Sequence, residues 1–313
     1  MITTVTPNPS VDRTLVVSGY RLGAIHRPQK LVVLPGGKGL NVARTIRRLG
    51  GTVQACAMLG GHNGRWIAEQ LPMEGITLVA AWSQQETRCC TSIVDPETGQ
   101  LTEIYEAGNR IEMEDWISLE TAVRETLPCT SWMTLSGSLP PGAPPDGYAR
   151  LLAVAGDARL QTVADIQAAL AIRAWPNLPT VLKVNAVEAA EFLGAPVSSW
   201  SDAIGASRAL RQQGIPAVVV TLGHLGAIAA NSRGAWRGTV PAVEAVAAVG
   251  SGDAFLGGLV LALENGADLP EALRAALAAG TANATTLGPG MVEKPTADAL
   301  LGQIHIRQIL QTE

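Results

Sequence analysis

The stretch TVLKVNAVEAAEFLG, residues 180–194, joins a short run rich in β-branched residues to a segment with helical periodicity. Similar strand-like runs lie at 132–136, 162–166 and 217–222, and further helix-like segments lie around 146–155 and 201–213. Alternation of this kind predicts βαβ units and a parallel sheet that is covered on both faces. We therefore expect an α/β fold with a mainly parallel sheet flanked by helices.

Two regions interrupt this alternation, because residues 12–35 and 87–107 read as strands without intervening helices. DPETGQ at 95–100 is a turn signal between two such strands and predicts a hairpin. We interpret these regions as a small β-sheet that acts as a lid, since lids that exclude water are commonly such additions. The chain from residue 252 onward is mostly helical and Ala-rich, and no linker divides it. We expect one domain over 1–313, with a β-lid formed by about 12–35 and 87–112.

The composition excludes several classes of protein. The chain has 313 residues, of which 47% are hydrophobic and 16% charged, enough to bury one large core. The net charge of -4 and the lack of a long Lys/Arg run argue against binding to nucleic acid or to anionic membranes. The four cysteines show no CxxC spacing, the N-terminus has no signal-peptide pattern, and no apolar run approaches the roughly 18 residues of a membrane span. We expect a cytoplasmic protein with reduced thiols.

One carboxylate lies in an unusual place. Asp253, in VGSGDAFLGG at 249–258, follows a Gly-Ser-Gly turn and precedes an apolar, helix-like run. A helix start favours anions, so the turn is suited to a phosphate, and a carboxylate beside it makes sense as a base that takes the proton of an attacking hydroxyl. The simpler interpretation is that Asp253 only caps the helix. Taken alone, this stretch leaves both interpretations open.

A second glycine-rich stretch is PGGKGLNVARTIRRLG, residues 35–50. Its apolar positions predict an amphipathic helix with Arg44, Arg47 and Arg48 on the outside. It matches neither the GxxxxGK[ST] phosphate loop nor the GxGxxG dinucleotide fingerprint. Gly36 and Gly37 would let backbone approach a small polar ligand that Lys38 and Asn41 face, although an ordinary Gly-rich helix entry explains the pattern equally well.

Three further segments lie where strands are predicted to end. Asn185 and Glu188 are spaced to hold a hydrated Mg²⁺, or to form an ordinary helix cap. TLGHLGA at 221–227 could let backbone approach a nucleotide, or could be a tight turn between strands. SGSLPPG at 136–142 ends a strand with small hydroxyl residues, at the edge where parallel sheets collect ligands.

Together and in this order, these segments resemble the ribokinase-like (PfkB) family of carbohydrate kinases. TPNPSVD at 6–12, ETR at 86–88 and TEIYEAG at 102–108 also carry the resemblance, which covers essentially the whole chain. Within the family, the pattern is similar to the branch with 1-phosphofructokinase and tagatose-6-phosphate kinase. The resemblance implies a ribokinase-like, doubly wound sheet with a small β-sheet lid, and a kinase that uses ATP with Mg²⁺.

The resemblance also implies roles for individual residues. Asp253 matches the catalytic base, and Gly250, Ser251 and Gly252 match the anion hole for the γ-phosphoryl group. The substrate-binding positions are Asp12, Arg27, Gly36, Gly37, Lys38, Asn41, Arg88 and Ser138, of which Lys38, Arg27, Arg88 and Ser138 would grip the phosphate already on the sugar. The ATP-binding positions are Lys183, Asn185, Thr221, Gly223 and Gly226, and the metal positions are Asn185 and Glu188, acting through water.

The chain departs from the family pattern at three points. Val184 replaces the usual proline of KPN, Ala254 follows the matched base, and the Asp-x-Ser-Gly loop reads Asp165-Ile166-Gln167-Ala168, which puts in doubt a role for that loop in substrate contact.

The expected reaction is ATP-dependent phosphorylation of tagatose 6-phosphate or fructose 6-phosphate at C1. The alternatives are a 1-phosphofructokinase acting at C6, a kinase of an unphosphorylated sugar or nucleoside, a sugar-phosphate sensor without catalysis, and a dinucleotide-dependent oxidoreductase, which the missing GxGxxG disfavours. The expected partners are ATP and a sugar phosphate, with neither nucleic acid nor membrane, and a homodimer through the lid would cover its open edges.

Overall fold

The computed structural model describes residues 1–166 and 175–309. The strands are β1 (Ile2–Thr6), β2 (Ser10–Val16), β3 (Lys30–Gly36), β4 (Val53–Gly60), β5 (Thr77–Ser83), β6 (Arg88–Asp95), β7 (Gln100–Tyr105), β8 (Trp132–Gly137), β9 (Gln161–Ile166), β10 (Val181–Asn185), β11 (Ala217–Thr221), β12 (Ala227–Asn231), β13 (Gly234–Thr239) and β14 (His305–Ile309). The helices are α1 (Lys38–Arg48), α2 (Gly61–Met73), α3 (Met113–Thr126), α4 (Gly147–Asp157), α5 (Ala186–Leu193), α6 (Trp200–Arg211), α7 (Ser251–Glu264), α8 (Leu269–Ala284) and α9 (Lys294–Leu301).

The larger sheet runs in the order β14-β13-β12-β11-β10-β9-β8-β1-β4-β5. The strands from β11 to β5 pair in parallel, and β12, β13 and β14 extend the sheet by antiparallel pairing. From β1 the chain proceeds outward to β4 and β5, and it then returns to β8 on the other side of β1. In such sheets, ligands bind outside the carboxyl ends of the strands where the order reverses, so the β1–β8 junction marks the expected site.

Helices cover both faces of this sheet, as the alternating pattern predicts. Helices α1, α2 and α7–α9 enclose one core and α3–α6 enclose the other. Strand β4 is buried at every position, and β10 and β11 are buried except at their last residues. Their near-continuous apolar character follows from this two-sided burial. None of the helices in the described ranges is long and apolar enough to cross a bilayer.

The small sheet predicted from residues 12–35 and 87–107 is present, in the order β3-β2-β6-β7. The DPETGQ turn joins β6 to β7 as an antiparallel hairpin. Asp12 pairs with Cys90, which in turn pairs with Tyr105, so one row of side chains crosses three strands. All three line the cavity described below, which places this face of the small sheet over the carboxyl ends of the large one.

One detail of the sequence-based prediction is wrong. The apolar stripe of α1 packs inward as expected, but Arg44 lies inside the protein with 1% of its surface exposed, not on the outer face with Arg47 and Arg48. Its guanidinium finds enough hydrogen-bond acceptors there to make burial tolerable, a combination that helical periodicity alone does not reveal. In the loop at 165–168, which departs from the family pattern, Gln167 and Ala168 lie outside the described residues.

Candidate active site

A cavity of about 1380 Å³ opens at the carboxyl ends of the parallel strands, beneath the small sheet. This volume exceeds the roughly 300–1,000 Å³ of most small-molecule sites, so two ligands can lie side by side. Most of the sequence-predicted residues line the cavity: Asp12, Gly37, Lys38, Asn41, Arg88, Ser138, Lys183, Asn185, Thr221, Gly223, Gly226, Gly250, Ser251, Gly252 and Asp253. Gly36 and Glu188 directly contact these residues, as described below. Arg27 is exposed on the segment between β2 and β3 and does not line the cavity.

The glycine turn before α7 is shaped by close packing. Gly250 is the N-cap of α7, has φ +75°, and is not a position at which a side chain fits, because a Cβ there would lie 2.5 Å from Cα of Pro289. No side chain caps the helix, and Asp253 lies in its first turn, two residues beyond Ser251. Gly250, Ser251 and Gly252 line the cavity at the positive end of the α7 dipole, and the N–H of Ser251 donates to the carbonyl of Ala248 at 3.1 Å. The interpretation of Asp253 as a simple helix cap is therefore wrong.

The Asp253 carboxyl is buried, with 7% of the residue exposed. Nδ2 of Asn41 donates a hydrogen bond to its Oδ2 at 2.9 Å. Burial raises the pKa of Asp253 to about 7, and the Asp165 charge adds to the rise, while Lys38, Lys183 and the Asn41 hydrogen bond oppose it. A carboxylate with a pKa near neutrality is matched to general-base work at physiological pH.

A second buried carboxylate organises the two lysines of the cavity. Asp165 is fully buried at the end of β9, with Nζ of Lys183 at 3.0 Å and Nζ of Lys38 at 3.3 Å from its two oxygens. Burial alone would raise the pKa of Asp165, but the two lysine charges outweigh it and the pKa falls below the ordinary value. The charge of Asp165 raises the pKa of Lys38 above its usual range, although burial of Lys38 opposes this rise. Lys38 thus stays charged, beside the Gly250 turn.

Polar groups of the small sheet and of the start of α1 form one end of the cavity. Oγ of Ser10 donates to Oδ1 of Asp12 at 2.6 Å. Burial raises the pKa of Asp12, against the hydrogen bonds and charges of its neighbours. A Cβ on Gly36 would lie within 2.0 Å of Cγ of Asp12, and one on Gly37 would lie 2.9 Å from Cα of Pro9. Both glycines allow the backbone to pack closely around this carboxylate.

Arg88 is the first residue of strand β6. Its Nη1 donates to the carbonyl of Glu106 at 2.6 Å and its Nη2 donates to the carbonyl of Asn8 at 3.1 Å. Nδ2 of Asn8 also reaches Oγ of Ser138, at 3.2 Å. Because the partners of Arg88 here are neutral carbonyl groups, its charge is available to an anion in the cavity.

Residues at the ends of β10 and β11 form the other end of the cavity. Asn185 and Glu188 form a reciprocal capping box at the start of α5, with bonds of 2.9 Å and 2.8 Å, so the capping interpretation of this spacing is confirmed as geometry. Gly226 has φ +121°, and a Cβ there would lie 2.0 Å from the carbonyl oxygen of Gly238. The TLGHLGA turn does connect two antiparallel strands, and it also exposes its backbone to the cavity.

The donor set that a metal would meet consists of oxygen atoms. Oε1 of Glu188 lies 3.8 Å from Nζ of Lys38, and its other oxygen accepts the Asn185 backbone N–H. Within the part of the chain that the structure describes, no group of three or more His, Cys, Asp or Glu side chains is arranged to hold a metal ion. Hard oxygen donors beside this cavity fit Mg²⁺, which keeps several waters and takes few protein ligands.

The residues that sequence reasoning undervalued are Asp165 and Arg44. The departure from the family pattern put in doubt a role in substrate contact for the loop that begins at Asp165, and Asp165 itself pairs with both lysines in the site. A signal was available, because Ser136 and Asp165 end adjacent parallel strands and lie side by side in register. No comparable signal marks Arg44. Tyr105 also lines the cavity, within a motif that was used only for the resemblance.

The profile of the pfkB family of carbohydrate kinases matches residues 6–296. Phosphofructokinase-2 from Escherichia coli, in its tetrameric inhibited form, is similar with a TM-score of 0.86 and 26% identity, over 96% of this chain and 98% of that one. A Staphylococcus aureus protein assigned as a phosphofructokinase has a TM-score of 0.80 and 28% identity, over 99% of both chains.

A Thermotoga maritima protein assigned as a 1-phosphofructokinase has a TM-score of 0.87 and 23% identity, over 99% of this chain and 100% of that one, a likeness of fold alone. The family profile spans most of the sequence and the structural likeness spans nearly all of it. The chain therefore belongs to the pfkB family of carbohydrate kinases and is a sugar kinase.

Proposed function

We propose that this kinase transfers the γ-phosphoryl group of ATP to C1 of a ketohexose 6-phosphate, either tagatose 6-phosphate or fructose 6-phosphate, to form the bisphosphate. The observation that carries the proposal is the buried Asp253 carboxyl, which lies in the first turn of helix α7 beside the Gly250 turn and shares one cavity with Lys38, Lys183 and Arg88. Phosphoryl transfer needs this combination, because a base must take the proton of the acceptor hydroxyl while fixed donors stabilise the transferring charge.

Asp253 would act as the general base. As the acceptor oxygen attacks phosphorus, the hydroxyl proton passes to a carboxylate oxygen of Asp253 and the bond to the leaving ADP oxygen breaks. The backbone N–H groups of Gly250 and Gly252 would meet the transferred group, since that of Ser251 donates to the carbonyl of Ala248 at 3.1 Å. Lys38 and Lys183 would share its charge. Closure of the small sheet over the sugar would exclude water, which otherwise competes as acceptor.

Arg88, Lys38 and Ser138 are the proposed grip on the phosphate already present on the sugar. Arg88 supports this best, since neutral carbonyl groups accept its hydrogen bonds. Lys38 is engaged by Asp165 at 3.3 Å and lies nearer the transferring end. An acidic protein that binds an anionic substrate needs such local cations. A kinase of neutral sugars would leave Arg88 without an anionic partner.

ATP would occupy the end lined by Lys183, Asn185, Thr221, Gly223 and Gly226. Mg²⁺ would be held by the ATP phosphates and through water by Asn185 and Glu188, and when bound it neutralises charge on the phosphates. Because ATP and sugar phosphates are metabolites of the cell interior, we also propose a cytoplasmic location.

The test is a substrate panel combined with two variants. We expect kcat/KM to be highest for a ketohexose 6-phosphate among fructose 6-phosphate, tagatose 6-phosphate, fructose 1-phosphate, fructose and ribose. Asp253→Asn should lower kcat by about 10²–10⁴ while ATP still binds, and near-normal turnover would refute the base. A preference for fructose 1-phosphate would favour the alternative reaction at C6. If none of the five compounds supports ATP consumption, a sugar-phosphate sensor without catalysis would be favoured.

The second variant tests the phosphate grip. Arg88→Ala should raise KM for the sugar phosphate far more than KM for ATP, whereas the control Arg65→Ala, on the exposed face of α2, should change neither. Equal effects of Arg88→Ala on both Michaelis constants would argue against the grip.

We also propose a homodimer through the small sheet. The face of this sheet opposite the cavity presents Leu31, Val33 and Ile104, which are 47%, 37% and 59% exposed. Val33, Arg13, Thr91 and Ile104 form one row across the four strands, so Val33 and Ile104 lie on the same face of the sheet. Sedimentation of the wild-type chain as a dimer and of Ile104→Lys as a monomer would support the proposal. A monomeric wild-type chain would refute it.

A further inference from the structure

Arg44 is the most deeply buried arginine of the described chain, with 1% of its surface exposed. A charge in this position is costly unless every donor finds an acceptor. Its Nε and Nη2 donate to the two oxygens of Glu74 at 2.7 Å and 3.0 Å. Nη2 also donates to the carbonyl of Pro35 at 2.6 Å, and Nη1 donates to the carbonyl of Pro289 at 3.2 Å. These bonds secure the guanidinium from three directions.

The remaining contact of Arg44 leads into the active site. Nη1 donates to Oδ1 of Asn41 at 3.1 Å, and Nδ2 of the same amide donates to Oδ2 of Asp253 at 2.9 Å. The guanidinium has only donors and an ionised carboxylate has only acceptors. An amide between them is therefore satisfied in one orientation, with its oxygen toward Arg44 and its NH₂ group toward Asp253.

The opposite orientation of this amide would be unfavourable at both ends. Its carbonyl oxygen would face the Asp253 carboxylate, and its NH₂ group would face the donors of Arg44. Asp12 lies on the carboxylate side as well, where the Asn41 hydrogen bond and the Arg44 charge both oppose the rise in its pKa. The Arg44–Asn41 bond thus prevents a rotation that would place an acceptor against two carboxylates.

We propose that Arg44 is a positioning residue for phosphoryl transfer, which holds the Asn41 amide so that its NH₂ group keeps the Asp253 carboxylate oriented and ionised to accept the proton of the acceptor hydroxyl. The inference rests on the proposed function, because it gives Asp253 the role of base. It adds that the base depends on a residue outside the cavity, through one intervening amide.

The other groups that face Asp253 do not depend on Arg44. They are Lys38 from α1, Asp165 from β9 and Lys183 from β10, and both lysines are held by Asp165. Loss of the Arg44–Asn41 bond should therefore remove only the contribution of the amide hydrogen bond, which lowers the pKa of Asp253.

The test measures kcat/KM for the preferred sugar phosphate from pH 5.5 to 9 in Arg44→Lys, with Arg48→Lys as matched control. Lysine keeps the charge but lacks the planar fork that reaches Asn41 and Glu74 together. Arg48 lies on the same helix and donates at 2.7 Å to the carbonyl of Val292, away from Asn41.

A hydrogen bond to a charged group corresponds to about one to two pKa units, and Arg44→Lys weakens this bond without removing the amide. We therefore expect the acid limb of Arg44→Lys to move up by roughly one pH unit, with an about tenfold loss below pH 7 that shrinks above pH 8. The limb of Arg48→Lys should stay in place. Arg44→Lys should also add little to the effect of Asn41→Ala, because both changes remove the same oriented amide.

A loss of equal size at every pH, or full additivity with Asn41→Ala, would overturn the inference by showing that Arg44 acts only on stability. If Arg44→Lys fails to fold, Glu74→Gln replaces it, since that change weakens the support of the guanidinium and leaves it in place. A smaller upward shift in Glu74→Gln supports the inference, and an unmoved limb overturns it.

The two hypotheses can fail separately. Suppose that the pH profile of kcat/KM for the wild-type chain has an acid limb that Asp253→Asn abolishes. If Arg44→Lys then leaves this limb in place, only the role of Arg44 is refuted. If the wild-type chain shows no such limb, the base itself is refuted, and the role of Arg44 with it.

Discussion

The raised pKa of Asp253 predicts how the stability of the protein changes with pH. Its pKa is about 7 in the folded chain against 3.8 for the ordinary group. The folded state therefore holds a proton that the unfolded chain has released, and the stabilisation from it is full below the unfolded pKa. That stabilisation is lost as the pH rises through 7, because the buried carboxylate must then ionise.

Asp253→Asn removes this titration while it keeps the shape of the side chain. From pH 5 to pH 7 the folded wild-type chain retains the proton and the unfolded chain does not, and these two pH units correspond to about 3 kcal/mol. The free energy of unfolding of Asp253→Asn should therefore gain about 3 kcal/mol relative to wild type between pH 5 and pH 8. All other groups titrate alike in the two chains and cancel.

Urea denaturation at pH 5, 6, 7 and 8 measures this difference. Asp202→Asn is the control, since hydrogen bonds from Ser198 and Ser199 lower the pKa of Asp202, it titrates below this window in both states, and it is not among the groups that shift the pKa of Asp253. Its effect on the free energy of unfolding should therefore be similar at each pH. A difference between Asp253→Asn and wild type that stays constant from pH 5 to pH 8 would refute the raised pKa.

Two glycine substitutions should separate the two ends of the cavity. Gly36→Ala places a methyl group within 2.0 Å of the Asp12 carboxyl, and should raise KM for the sugar at least about tenfold with little change for ATP. Gly226→Ala places one 2.0 Å from the carbonyl oxygen of Gly238 at φ +121°, and should raise KM for ATP instead. The control is Gly205→Ala, at a helical position with no atom within 4 Å of the added Cβ. It should leave both Michaelis constants unchanged and stabilise the chain by about 0.5–1 kcal/mol. Initial-rate kinetics measure these constants, and an equal change of both in Gly36→Ala or in Gly226→Ala would contradict the assignment of the two ends.

Much of the fold could be predicted from local pattern. The strands near 132–136, 162–166 and 217–222 were recognisable because parallel strands covered on both faces need continuous apolar runs. The small sheet could be predicted because its strands follow one another without helices and a DPETGQ turn links two of them. Strand order was beyond such reasoning, since pairing depends on contacts between segments far apart in sequence.

The candidate site was less completely predictable. Gly250 and Asp253 attracted attention because an acidic residue beside an anion-binding turn is unusual in itself. Asp165 was undervalued because a motif around it departs from the family pattern, although the carboxylate that binds Lys183 is retained. Arg44 was assigned to the surface because helical periodicity describes polarity around an axis, and a buried charge violates that pattern when acceptors converge on it.

By itself, the sequence determined the alternation of strands and helices, the glycine turns and the inventory of titratable groups, since backbone conformation and residue chemistry are local properties. Only the tertiary structure decided that Asn41 lies between Arg44 and Asp253, and that two lysines share Asp165. Asn41 and Asp253 are separated by 212 positions along the chain. Their charges and hydrogen bonds act over a few ångströms, so they become neighbours only when the sheet and its covering helices have packed.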